Sequence, residues 1–133
     1  MLFLRTYVAA LVAFLAADIV WLMLVGGPMF ESRLGDWLRP KPHLAAAAVF
    51  YPVFDLGLVV LAIDPSGPPR SLAATAGRGA LLGLTAYATF DLTNLAILQR
   101  YTVDLALADM LWGTLASTMA AAVGWRVAGA GRQ

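Results

Sequence analysis

The stretch GALLGLTAYATFDLTNLAIL (residues 79–98) runs through QRYT (99–102) into VDLALADMLWGTLASTMAAAVGWRV (103–127). Two apolar segments, each long enough for the roughly 20 helical residues that a hydrocarbon core requires, are joined by a linker that leaves room only for a tight turn. That pattern is a membrane helical hairpin. Working outward, two further apolar stretches of sufficient length stand at 4–26 and 44–63. Gly26-Gly27-Pro28 punctuates the end of the first, and Asp64-Pro65-Ser66-Gly67-Pro68-Pro69 the end of the second.

Composition agrees with this reading. Of 133 residues, 61% are hydrophobic and 13% charged, against about a quarter charged in a soluble domain; mean hydropathy is +0.78. High hydrophobicity excludes a disordered chain. The absence of cysteine excludes a disulfide-stapled one. A net charge of +1 offers no electrostatic footprint for nucleic acid. The expectation is an all-α, integral membrane four-helix bundle, a single transmembrane domain over 1–133 whose first partner is the lipid bilayer.

Between the first two spans, Phe30, Leu34, Trp37 and Leu38 recur at helical spacing opposite Glu31, Arg33, Asp36 and Arg39. The spacing predicts a short interfacial helix over 29–39. Apolar character continues unbroken to Gly26 with no small-x-small cleavage site, so the first span is expected to be an anchor and not a removed signal peptide. With the N-terminus inside, Arg5, Arg70, Arg78, Arg126 and Arg132 face Arg33, Arg39, Lys41 and Arg100 across the membrane. The small excess favours both termini on the cytoplasmic side. Arg78 and Arg126 are expected to snorkel, Trp37 and Trp125 to anchor at the interfaces, and His43 to be an interfacial side chain.

Half of the eight acids need no explanation. Glu31, Asp36, Asp64 and Asp104 lie in loops or at helix ends. Asp18, Asp55, Asp91 and Asp109 lie inside the spans, where an Asp at a helix centre costs about 2.5–3.5 kcal/mol. Because the spans alternate in direction, all four fall between the midplane and the face that carries the 28–42 connector and the 99–102 turn. A bundle can gather them around one polar cavity open to that side.

Each of these acids has a companion one helical turn away. Asp18 and Asp109 occur as Asp-x-x-Trp with Trp21 and Trp112; Asp55 and Asp91 occur as Tyr-x-x-Phe-Asp-Leu with Tyr51 and Tyr87. Indole N–H and phenol O–H groups can satisfy a buried carboxyl while their rings stay in an apolar environment. Asn94 adds a donor and an acceptor beyond Asp91. The order of the two motifs, A, B, B, A, fits either a pseudo-two-fold axis in the membrane plane or chance within an Ala-, Leu- and aromatic-rich chain. Small residues at four-residue spacing (Gly79, Gly83; Gly113, Ser117, Ala121) mark close helix packing. Pro52 cannot bond the carbonyl of Ala48, leaving a bare acceptor one turn from Asp55.

The block Ala-Tyr-Ala-Thr-Phe-Asp-Leu-Thr-Asn-Leu-Ala-Ile-Leu at 86–98, followed by Ala-Asp-Met-Leu-Trp-Gly-Thr at 108–114, resembles the signature of a bacterial family of small predicted membrane proteins, domain-of-unknown-function family 2177. Asp18-Ile19-Val20-Trp21-Leu22 and Phe50-Tyr51 match that family's first and second helices, and Phe90 stands where its third helix carries Tyr. The resemblance implies four spans and supplies no activity.

Three functions compete. Asp18, Trp21, Tyr51, Asp55, Tyr87, Asp91, Asn94, Asp109 and Trp112 can form a binding site for a proton, a cation or a small amphipathic molecule, used in transport or sensing, with some of the carboxyls protonated. The same cluster can form an intramembrane enzyme site acting on a lipid-like substrate. The polar residues can also simply tie the helices together. Binding is favoured: catalysis lacks a nucleophile, since there is no cysteine and Ser71 and Ser117 have no evident base, while four carboxyls are costly glue. Transport through so few helices would call for a homodimer. Carboxylates favour hard cations such as Mg²⁺, Ca²⁺ or Mn²⁺, but no His-containing ligand motif exists, and no metal or cofactor is expected.

Overall fold

Helix α1 (Leu2–Trp21) opens the computed structural model, which describes residues 1–131; Arg132, used above in the charge count, lies outside them. Helix α2 (Gly27–Leu34), α3 (Leu44–Leu58), α4 (Leu72–Ile97) and α5 (Val103–Ala130) follow. No strand occurs among the described residues. Four helical runs are long and apolar enough to cross a membrane: Leu2–Trp37, Leu44–Ile63, Leu72–Ile97 and Val103–Ala130. The fold is thus the all-helical, four-span bundle that hydropathy predicts.

The Gly26-Gly27-Pro28 break behaves differently from its local reading. A π turn over Leu22–Gly26 carries α1 directly into α2, with the Gly27 N–H donating to the Leu22 carbonyl five residues back. Pro28 falls at the start of α2, and because it has no N–H a carbonyl of the preceding turn goes without its helical donor. The first run is therefore 36 residues, about 54 Å at 1.5 Å per residue, against a core of about 30 Å. Its surplus is α2, a helical continuation of the first span that covers one end of the bundle and closes in a short 3₁₀ turn at Gly35–Trp37.

Two other ends are set by caps. Ser71 accepts from the Ala74 N–H at 3.1 Å, so α4 starts at Leu72, before the expected Gly79. His43, read from sequence as an interfacial side chain, accepts from the Ala46 N–H at 3.2 Å and caps α3. A second π turn, Val59–Ile63, completes the second span and stops at Asp64, whose backbone is left-handed.

The core is built on α5. Helix α4 packs against it along much of its length and α1 lies on its other flank. Gly79 and Gly83 make the α4 contact possible: a Cβ on Gly79 would stand 2.6 Å from that of Ala121, and one on Gly83 would stand 2.5 Å from the Gly113 carbonyl oxygen. Helix α3 packs on α1 and meets α4 chiefly through its terminal π turn. Phe14, Leu58 and Val59 fill the centre with Ala10, Ala116 and Ala120.

A second cluster, of Leu34, Tyr101, Leu105 and Ala106, seats α2 on the α4–α5 turn. Arg33 pairs with Asp104 at 2.7 Å, Arg100 pairs with Asp36, and the Arg100 guanidinium sits 5.1 Å from the Trp37 ring centre. At the opposite end Arg70 pairs with Asp64 at 2.9 Å, and the Trp125 indole donates to the Arg70 carbonyl at 2.6 Å. Arg78 donates to the Leu61 carbonyl at 3.1 Å.

Candidate functional site

The end covered by α2 holds three of the four membrane aspartates, Asp18 and Asp109 at one cavity and Asp91 behind it. Asp18 accepts two hydrogen bonds, from Tyr51 at 2.5 Å and from the Trp112 indole at 2.9 Å. Three spans are thereby tied together at one carboxyl. Trp21, one turn above Asp18, stacks on Trp112 with centroids 5.1 Å apart and planes 4° from parallel. Its indole nitrogen lies beside the Asp109 carboxyl, without forming a hydrogen bond. A Cβ on Gly26 would collide with the Trp21 ring. The glycine that reads as a helix break is thus the seat of that indole.

The two Asp-x-x-Trp motifs consequently face one another across the antiparallel α1–α5 pair, each tryptophan reaching toward the other helix's aspartate. This is the relation that a pseudo-two-fold axis would impose on them. The Tyr-x-x-Phe-Asp-Leu motifs do not share it: Tyr51 bonds Asp18, whereas Tyr87 makes no hydrogen bond among the described residues. The α3 and α4 copies also place their aspartates in unlike surroundings.

Asp91 is fully buried and accepts from Tyr101 at 2.6 Å through one oxygen; its other oxygen has no partner. Asn94 lies near the same Tyr101 hydroxyl. Tyr101 belongs to the 98–102 turn and was not legible as a site residue, because a tyrosine in a hairpin turn reads as an interfacial anchor. Its burial, at 5% exposure, is a tertiary consequence of α2 folding over the turn. Tyr101→Phe is expected to lower stability by about 1–2 kcal/mol, the cost of leaving Asp91 without a donor, measured as a shift in unfolding midpoint in a fixed detergent.

Asp55 stands apart. It is completely buried, and neither of its oxygens has a partner among the described residues. It shares the inward stripe of α3 with Leu58, Val59 and Ala62. The carbonyl of Pro52, and not that of Ala48, takes an outside donor here: the Tyr7 hydroxyl, at 3.1 Å.

Between α1, α3 and α4 lies a cavity of about 350 Å³, within the usual range for small-molecule sites. Asp18 and Asp109 are its carboxyl groups, and Tyr51 and Tyr87 line it with them. Its remaining wall is largely aromatic: Trp21, Phe30, Phe50, Phe54 and Phe90. The phenylalanines escaped a sequence reading that searched for polar groups. Phe54 and Phe90 directly precede Asp55 and Asp91, and both turn toward the cavity. Phe90 meets Tyr101 edge-on at 6.4 Å. Of the sequence candidates, Asp18, Trp21, Tyr51, Tyr87 and Asp109 line the cavity; Trp112, Asp91 and Asn94 stand behind it; Asp55 does not take part. Among the described residues no group of three or more Asp, Glu, His or Cys could hold a metal ion.

The family described as "Predicted membrane protein (DUF2177)" matches residues 3–126. The chain belongs to this family. The matched span takes in every cavity residue named above, from Asp18 to Asp109. No curated protein and no solved structure matches this DUF2177 member.

Proposed function

We propose that this protein binds a small amphipathic molecule inside the membrane, in the cavity between α1, α3 and α4, and serves transport or sensing through that site. The observation that carries the reading is the pairing of Asp18 and Asp109 with an aromatic wall in a space of about 350 Å³. Intramembrane carboxyls are costly unless they are used, and an apolar cavity with few convergent polar groups is the usual form of a ligand site. Binding is favoured over catalysis because both serines considered as nucleophiles have other surroundings: Ser71 caps α4, and Ser117 is buried against the backbone of Gly83. The proposed orientation keeps both termini in the cytoplasm of a bacterial cell, with the cavity toward the opposite face.

The test uses the protein in phosphatidylcholine nanodiscs, with Trp37→Phe and Trp125→Phe so that emission comes from Trp21 and Trp112 alone. Decyltrimethylammonium and decyldimethylamine N-oxide serve as amphipathic probes. A saturable change in emission with at least one probe, lost when Ala86→Phe fills the cavity wall, is expected. No saturable response to either probe would remove the binding reading.

A further inference from the structure

We propose that the ligand is a lipophilic organic cation of the alkylammonium class, which enters sideways from the bilayer through the slit between α3 and α4. The inference rests on the binding reading and names what that cavity takes. No Lys, Arg or His lines the cavity. At the same end of the bundle, Arg33 pairs with Asp104 and Arg100 with Asp36. Both oxygens of Asp18 accept hydrogen bonds, from Tyr51 and from the Trp112 indole. Two carboxyl groups at this depth, with no basic side chain of the protein lining the cavity, are complemented by a cation in it.

The wall specifies what kind of cation. Ring faces attract a positive charge, and they do so more strongly when it is desolvated. A strongly hydrated ion such as Na⁺ gains little from such rings, since it binds through oxygen ligands at close range. A quaternary or tertiary ammonium has a weak hydration shell and an apolar surface. It can rest against Trp21, Phe54 and Tyr87 while its charge faces Asp18 and Asp109. Of the two acids, Asp109 is the available one: it forms no hydrogen bond among the described residues, and its oxygens are not sealed from the cavity as those of Asp55 are.

The route follows from helix packing. The α3 helix reaches α4 chiefly through its terminal Val59–Ile63 turn, so the two helices part toward the α2 end. The cavity lies in that parting. Phe50 on α3 and Phe90 on α4 stand on either side, 45% and 52% exposed on an apolar surface that faces lipid. An alkyl chain can lie between them with its end in the bilayer while the head group reaches Asp109.

The two nanodisc probes separate this inference from the reading beneath it. Decyltrimethylammonium and decyldimethylamine N-oxide share chain and shape, and at mildly alkaline pH the second is neutral. The cation is expected to bind at least about tenfold more tightly, and Asp109→Asn to weaken it by about tenfold and so remove most of its advantage over the N-oxide. A factor of ten corresponds to about 1.4 kcal/mol. Near-ultraviolet circular dichroism reports whether the Trp21–Trp112 stack persists in the variant; should it be lost, Tyr87→Leu, which removes a ring face without touching a carboxyl, replaces it and is expected to weaken the cation selectively. Equal affinity for both probes, or cation binding indifferent to these variants, overturns the cation assignment and leaves the binding reading standing. Binding by neither probe ends both.

Discussion

Gly83→Ala is expected to lower the stability of the bundle by about 1–3 kcal/mol, and Gly83→Leu to leave little folded protein. The added Cβ would stand 2.5 Å from both the Gly113 carbonyl oxygen and the Ser117 hydroxyl. Neither is the free end of a flexible side chain. One is backbone and the other sits on a fully buried residue, so relief requires α4 to move away from α5. That movement would carry Tyr87 with it, four residues along the same stripe, and Tyr87 lies over Gly113 so closely that a Cβ there would enter its ring. Gly113→Ala should therefore displace the Tyr87 ring and alter the cavity as well as the packing. Gly77→Ala is the control: it lies on the same helix with nothing within 4 Å of the added carbon, and it should gain a few tenths of a kcal/mol or more from helix propensity alone. Thermal unfolding in one detergent, read alongside tryptophan emission, distinguishes these outcomes. Equal stabilities for Gly83→Ala and Gly77→Ala would refute the close-packing account.

The spans were legible because every one is apolar over the length a bilayer requires, and a hydropathy signal of that kind needs no knowledge of neighbours. What escaped were features that depend on a partner. Gly26-Gly27-Pro28 is a helix break by local rules, yet a π turn absorbs the proline and Trp21 occupies the space above Gly26. The early start of α4 was hidden by Arg78, a charge that ends an apolar window; its guanidinium turns to the Leu61 carbonyl of the neighbouring span. In the site, helical spacing correctly marks Asp18 with Trp21 and Asp109 with Trp112 as neighbours on one face. It does not reveal that the hydrogen bond crosses between the helices, from Trp112 to Asp18. Nor does it separate Asp55 from Asp91, which share the Tyr-x-x-Phe-Asp-Leu motif but not a donor: Tyr101 reaches Asp91, and no residue among those described reaches Asp55.

That contrast between identical residue types yields opposite signs on substitution. Asp18→Leu is expected to destabilise the protein by about 2–4 kcal/mol, because it strands the Tyr51 hydroxyl and the Trp112 indole, two donors that lose their acceptor in a low-dielectric setting. Asp55→Leu is expected to stabilise it by about 1–3 kcal/mol, because a fully buried carboxyl with no hydrogen bond is replaced by an apolar side chain that has none to lose. The core that holds the neighbouring Leu58 and Val59 is rich in small, fully buried side chains, Ala10, Ala116 and Ala120 among them. Asn at each position separates charge from bonding. Asp18→Asn keeps an acceptor for one donor and should cost less than Asp18→Leu, whereas Asp55→Asn introduces two unsatisfied N–H donors and should fall below Asp55→Leu. The midpoints of unfolding for the four variants in one detergent give the ranking directly. If Asp55→Leu proves as damaging as Asp18→Leu, then Asp55 has a bound partner in the folded protein, and the species that satisfies its two oxygens becomes the next thing to identify.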